Sequence, residues 1–195
     1  MTEFYDAMIR RLEDPLRWPW QAHGIGMLRT YLDNDRRVRL NLWHSSLINP
    51  GISTMHTHPW EFRSFVMLGR LTNYRWERRE PDTPNARPFI EDKITCGPGF
   101  DGLKGEAQTV WLRQGMAEYH SAGMSYSQKP DEIHTTEFID GSATVIVRGP
   151  PSESHEASVF WPLGDQWGDA TRPVTEADIW TVVSAAVAHV PQAAP

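Results

Sequence analysis

The stretch GISTMHTHPWEFRSFVMLG, residues 51–69, decides how this chain reads. His56 and His58 stand two apart, so on a strand both imidazoles project from one face. Two neutral imidazoles side by side offer two nitrogen ligands to a divalent metal, and a third ligand must then come from a neighbouring strand. An isolated H-x-H pair can equally be solvated surface. Here Phe62, Phe65, Val66, Met67 and Leu68 follow at once and lead to Gly69, which is the composition of a core strand. Burying two histidines there without a purpose costs free energy. The spacing predicts a strand over 56–68, closed by Gly69, with a hairpin partner over 71–78.

Outward from that stretch the signal stays β. Runs over 26–32 and 38–47 are separated by the turn cluster Asp33-Asn34-Asp35, and Val38, Leu40 and Leu42 alternate with Arg39, Asn41 and Trp43. That alternation predicts a half-buried strand. Further strands are expected over 107–114, 124–128, 134–139 and 143–148, the last two joined by a hairpin turn at Asp140-Gly141. Residues 80–106, rich in Pro, Gly and Asp, read as a surface excursion or lid with a short strand near 89–95. Residues 17–26 read as a broken connector. A helix over 3–13 opens the chain, with Phe4, Met8 and Leu12 at four-residue spacing, and Asp14-Pro15 stops it. A second helix over 176–189 starts from Thr175 as N-cap, carries Ile179, Val182, Val183, Ala186, Val187 and Val190 as one stripe, and ends at Pro191. The whole, residues 1–195, reads as one domain: a β barrel over about 26–162 with a helix at each end.

Composition narrows the function. The chain has 195 residues, 39% hydrophobic and 23% charged, which supports a packed core. A net charge of -6 argues against nucleic acid as a partner, since phosphate binding needs an excess of Lys and Arg. No apolar run approaches the roughly 20 residues of a membrane span, and the polar N-terminus is unlike a secretory signal, so a cytoplasmic protein is expected. A single cysteine, Cys96, excludes an internal disulfide framework and a cysteine-based zinc cluster. Any metal must be held by histidine and carboxylate. Basic-looking segments, Arg36-Arg37 and YRWERRE over 74–80, carry interleaved glutamates and read as a solvated strand edge.

With its glycine, short gap, His-x-His, nearby carboxylate and closing glycine, 51–69 resembles the first motif of the cupin superfamily. The H-x-H-P-W-x-F form is similar to a recurring cupin-like subgroup of bacterial and phage proteins. The second cupin motif supplies a histidine after a proline-containing turn, and Lys129-Pro130-Asp131-Glu132-Ile133-His134 fits that place. The resemblance covers roughly residues 38–162. Two departures accompany it. Cupins place a glutamate four or five positions beyond the second histidine, where this chain has Phe62 and Arg63. Glu61 comes only three positions after His58, and strand parity turns it away unless Pro59 introduces a bulge. The second motif also has Asp131 and Glu132 where a glycine is usual.

The resemblance implies an antiparallel jelly-roll barrel holding a divalent transition metal on His56, His58 and His134, with Glu61 as an optional fourth ligand. Iron leads, and zinc, manganese, nickel and copper are compatible with the same donors. It implies a metal-dependent enzyme acting on a small molecule, with a mononuclear non-haem dioxygenase as the leading reaction class. The alternatives are an isomerase or epimerase, which the scarcity of lysine disfavours, and a non-catalytic metal- or small-ligand-binding cupin. A homodimer is the usual assembly. Tyr126, on the strand before the His134 turn, is placed to donate to a metal-bound group. Arg63, with Trp60 and Phe62, suits a small anionic or aromatic substrate. His120 reads as a turn residue, His44 as a cavity or half-exposed one, and His23, His155 and His189 as structural or solvated.

Overall fold

The structure, a computed structural model, describes residues 2–95, 103–151, 156–165 and 171–191. Helix α1 (Thr2–Glu13) and a 3-10 turn (Pro15–Arg17) lead into β1 (Gln21–His23), β2 (Ile25–Tyr31) and β3 (Val38–Ile48). Then come β4 (Met55–His56), β5 (Trp60–Leu68), β6 (Arg70–Arg78), β7 (Arg87–Thr95), β8 (Gln108–Ser121), β9 (Ser125–Gln128) and β10 (Ile133–Phe138). The chain finishes with β11 (Ala143–Pro151), β12 (Glu156–Pro162), β13 (Thr171–Arg172) and α2 (Glu176–Val187). The protein is mainly β, with two helices. One sheet has seven strands in the order β13-β1-β2-β3-β11-β5-β9; the other six close into an antiparallel barrel, β10-β4-β12-β7-β8-β6.

Three interiors follow from the side-chain alternation. Met55, Phe89, Leu112, Ile133 and Phe160 fill the closed barrel. Leu28, Leu40, Leu42 and Val145 face the other way, under Met8 and Leu12 of α1 and Val182, Val183 and Ala186 of α2. Between the seven-stranded sheet and the barrel lie Met27, Trp43, Val66 and Leu71, with Tyr126 and Phe138 against them. The 38–43 alternation is real, but both of its faces are buried: Leu40, Leu42 and Asn41 are all fully enclosed. The period of two marks two different interiors, where a core and solvent were expected.

The β4–β5 segment departs most from expectation. Instead of one strand over 56–68, the chain leaves the barrel after His56 and joins the seven-stranded sheet at Trp60. Pro59, which has no N–H to give a ladder, sits in the break. Nor are β5 and β6 a hairpin: β5 pairs with β11 and β9, and β6 with β8 and β10. Gly69, at φ 67°, turns the chain from one sheet to the other, and a Cβ there would stand 2.5 Å from Ser142 Oγ. Asp140-Gly141 likewise passes between sheets, from β10 to β11.

Other expectations also shift. The proposed lid over 80–106 contains β7, a nine-residue strand paired with β8 and β12. The connector over 17–26 carries β1 and the start of β2, and β8 continues to residue 121. YRWERRE is no edge, since β6 lies inside the closed barrel between β8 and β10 with Arg75 paired to Glu118 at 2.7 Å and Arg78 to Glu91 at 2.6 Å. Helix α2 has the anticipated start: Thr175 accepts from Asp178 N, and the Asp178 carboxylate accepts from Thr175 N. It ends at Val187, before Pro191, and Val187 is exposed rather than part of the stripe. No helix among the described residues is long and apolar enough to cross a membrane. Cys96 and His155 lie outside the described residues.

Candidate metal centre

His56 and His134 are direct cross-strand partners on β4 and β10. The residues just before them, Met55 and Ile133, point into the closed barrel. Alternation therefore turns both imidazoles out of the barrel wall and towards the seven-stranded sheet. His58 reaches the same place by another route. After β4, Thr57 N donates to Ser158 O at 2.8 Å, and Thr57 Oγ1 accepts from Ser158 N at 2.8 Å. One residue further, His58 O accepts from Asp131 N at 3.1 Å, which ties the crossover to the turn before β10. These three bonds fix the backbone on which His58 turns inward.

The three rings converge. Centroids lie 4.6 Å apart for His56 and His134, 4.7 Å for His56 and His58, and 5.3 Å for His58 and His134. One nitrogen from each ring falls within 4.8 Å of the others. The Nε2 atoms of His58 and His134 are 3.2 Å apart. Two nitrogens bound at 2.0–2.1 Å to one tetrahedral ion would be roughly 3.3–3.4 Å apart, so this pair is already spaced as ligands of a single metal. His56 Nδ1 donates to Thr54 O at 2.9 Å, which fixes the tautomer and leaves the Nε2 lone pair bare.

Electrostatics agree. Burial pushes all three histidines down from their ordinary value, His58 and His134 well below it. For His56 the bond to Thr54 opposes burial; for His58 the neighbouring His56 and His134 add to it. All three are neutral at pH 7, the form that ligates. Phe62 stands edge-on to His58 at 4.9 Å and Trp60 lies 5.8 Å from it, an apolar wall beside the cluster.

The remaining expected residues divide. Glu61 is exposed on β5, and its carboxylate is not among the converging atoms. Phe62 faces the histidines, so its neighbours Glu61 and Arg63 face away, as simple parity dictates. Arg63 is exposed, donates to Ser125 Oγ at 3.0 Å and lies over Phe65. Both residues line a separate cleft of about 460 Å³, with Phe62, Ser127, Pro130 and Gly149. Tyr126 faces the interior between the sheets, T-shaped to Phe62 at 6.3 Å and stacked on His120 at 4.3 Å. Burial pushes the Tyr126 phenol up, with Ser64 and Asn73 opposing. His120 is on β8, buried, and its Nε2 is 3.7 Å from Glu118, beyond hydrogen-bonding range. His44 bonds Ser46 at the surface, and His189 Nε2 donates to Asp140 O at 3.0 Å.

Two residues of this interior were not singled out from the sequence. His23, on β1, is pushed well below its usual pKa by burial and feels the charges of Arg29 and His56. Arg39, on β3, acts on His56, His58 and Tyr126. The available signal was that Arg39 shares its strand face with Asn41 and Trp43.

The chain matches no protein-family model, and no curated protein matches it in sequence. Its class therefore rests on the fold and the site: a β-barrel protein with three histidines placed to hold a metal ion.

Proposed function

We propose that this is a cupin-type metalloenzyme acting on a small molecule through one divalent transition metal, with a mononuclear iron dioxygenase as the reaction class. The convergence of His56, His58 and His134, all neutral and with His134 buried, is the observation that carries this reading. Three histidines fit such a metal by donor type and by the 3.2 Å spacing of the His58 and His134 Nε2 atoms. When bound, the metal supplies open coordination positions for substrate and dioxygen and acts as a Lewis acid there. The chain's own part is positioning. Thr54 orients His56, the Thr57–Ser158 and His58–Asp131 bonds hold the crossover, and Phe62 with Trp60 keeps one flank dry. Tyr126, kept protonated by burial, is the proton donor of this reading. The homodimer and the cytoplasmic location belong to the same proposal.

Elemental analysis of the purified protein tests it. About one transition-metal ion per chain is expected, falling to background in His134→Ala. Full metal content in that variant would sink the ligand assignment. An oxygen-electrode screen over phenols, diketones and thiols then separates a dioxygenase from a protein that only stores metal.

A further inference from the structure

A second feature of the same interior concerns charge. Arg39 lies on the face of β3 that looks between the sheets, opposite Tyr31 of β2 and Ile146 of β11. Its Nε is shut off from solvent and has no partner. Among the described residues no carboxylate and no hydrogen-bond acceptor meets its guanidinium. Its charged neighbours are cations: Arg29, which donates to Gln21, and Arg148, which lies over the Trp60 ring at 4.9 Å. Burial first, then the charge of Arg29, pushes Arg39 down to about 9. A half-buried cation whose Nε is cut off from water and whose charged neighbours are further cations is an unfavourable arrangement. Where this protein buries a charge elsewhere, at Glu91, it supplies a partner, Arg78 at 2.6 Å. For Arg39 none of the described residues supplies that partner.

Other polar atoms near it are also unpartnered. Asn41 Oδ1, two residues along the same face, and His23 Nδ1 are buried without hydrogen bonds. Asn41 spends its amide N–H on Thr144 Oγ1. Buried polar atoms left without partners call for a polar group to meet them. Aromatic rings are close by: Trp43, on the same face of β3, donates its Nε1–H to Thr144 Oγ1, and Trp60 packs on His58 while Tyr126 packs on Phe62.

We infer that Arg39 is the anchor for an anionic ligand, an organic carboxylate bound through the guanidinium fork with its apolar body against the aromatic wall. A planar fork matches a carboxylate in two parallel hydrogen bonds, which a point charge does not. The anchor itself stands independently of any metal. That the other end of the ligand reaches His56, His58 and His134 rests on the metalloenzyme reading above.

The test is calorimetric titration of the full-length protein, as purified and after chelation, with benzoate, benzamide and inorganic phosphate. Benzoate is expected to bind both forms, and at least about tenfold more tightly than neutral benzamide. Arg39→Met should lose at least about tenfold in benzoate affinity while melting at or above the wild-type temperature, because it removes a half-buried charge whose Nε has no partner. Arg39→Lys, which keeps charge but not the fork, should retain part of the affinity. Equal binding of benzoate and benzamide, no benzoate binding, or phosphate binding more tightly than benzoate would overturn the inference. So would a lower melting temperature in Arg39→Met, which would make Arg39 a structural residue. Arg39-dependent benzoate binding by protein that already lacks metal as purified would leave the anchor standing and bring the metal reading down alone.

Discussion

Glu91 is a fully buried charge and Arg39 a half-buried one, and the molecule treats them in opposite ways. Glu91, in the closed barrel, accepts from Arg78 at 2.6 Å, Ser158 at 2.7 Å and Gln108 at 3.0 Å. Burial alone would push its carboxyl up, but those bonds and the charges of Arg78 and Lys93 bring it to about 2. Arg39, between the sheets, is pushed down to about 9 and has no such company among the described residues. A charge at Glu91 stabilises the fold; a charge at Arg39 opposes it. The closed barrel thus meets its buried charge from within, while Arg39 in the space beside it has a buried Nε without a partner. Scaffold and site can be told apart by how fully each satisfies its own polar groups.

Several measurements would break or sharpen that contrast. The largest effect is expected from Phe160→Ala, at a fully buried position in the closed barrel, which should cost about 3–5 kcal/mol in denaturant unfolding. A loss below about 1 kcal/mol would show that the barrel is less tightly packed than its burial implies. Next is Glu91. Its folded pKa lies below the unfolded value, so its contribution is present above about 4.5 and is lost as pH falls towards 2. The full shift corresponds to about 3 kcal/mol, discounted to about 2 because Arg78 is half exposed. Glu91→Gln should abolish that acid-limb slope in a stability-versus-pH series; an unchanged slope would mean that other carboxylates carry it. Thr175→Ala removes one half of the α2 capping box and should cost about 1 kcal/mol. Smallest is Arg63→Ala, on the outward face of β5, which should alter stability by no more than about 0.5 kcal/mol and leave metal content unchanged. A loss of substrate turnover in that variant would move attention from the histidine cluster to the outer cleft.

Much of the site was legible before the fold. His56, His58 and His134 could be paired by motif, because histidines beside a core segment have few inexpensive structural roles. The path bringing them together was not legible. Pro59, Gly69 and Gly141 each announce a change of direction, but a turn signal does not say whether the next strand pairs with the last or joins another sheet. His58 was expected on the same strand face as His56; it reaches the cluster from a crossover instead. Arg39 stayed hidden for a related reason. A period-two pattern is the same whether its polar face looks at water or into a second interior, and only the packing of the barrel against β3 decides which. Glu61 shows the opposite case, where plain parity described its position better than the family pattern did.

The repeated passage of the chain between the two sheets has a kinetic consequence. From β3 onward the strands belong in turn to the sheet, the barrel, the sheet and the barrel, and after the run β6–β8 the alternation resumes through β12. No contiguous half of the chain contains either sheet, so neither can be completed ahead of the other. Pairings this distant in sequence make folding slow, and they favour one concerted transition over stepwise assembly. The three histidines, drawn from β4, its crossover and β10, meet only when that transition is nearly finished. An ion bound there would then slow unfolding far more than it speeds folding, and its grip would show as persistence of the native state rather than as ease of reaching it.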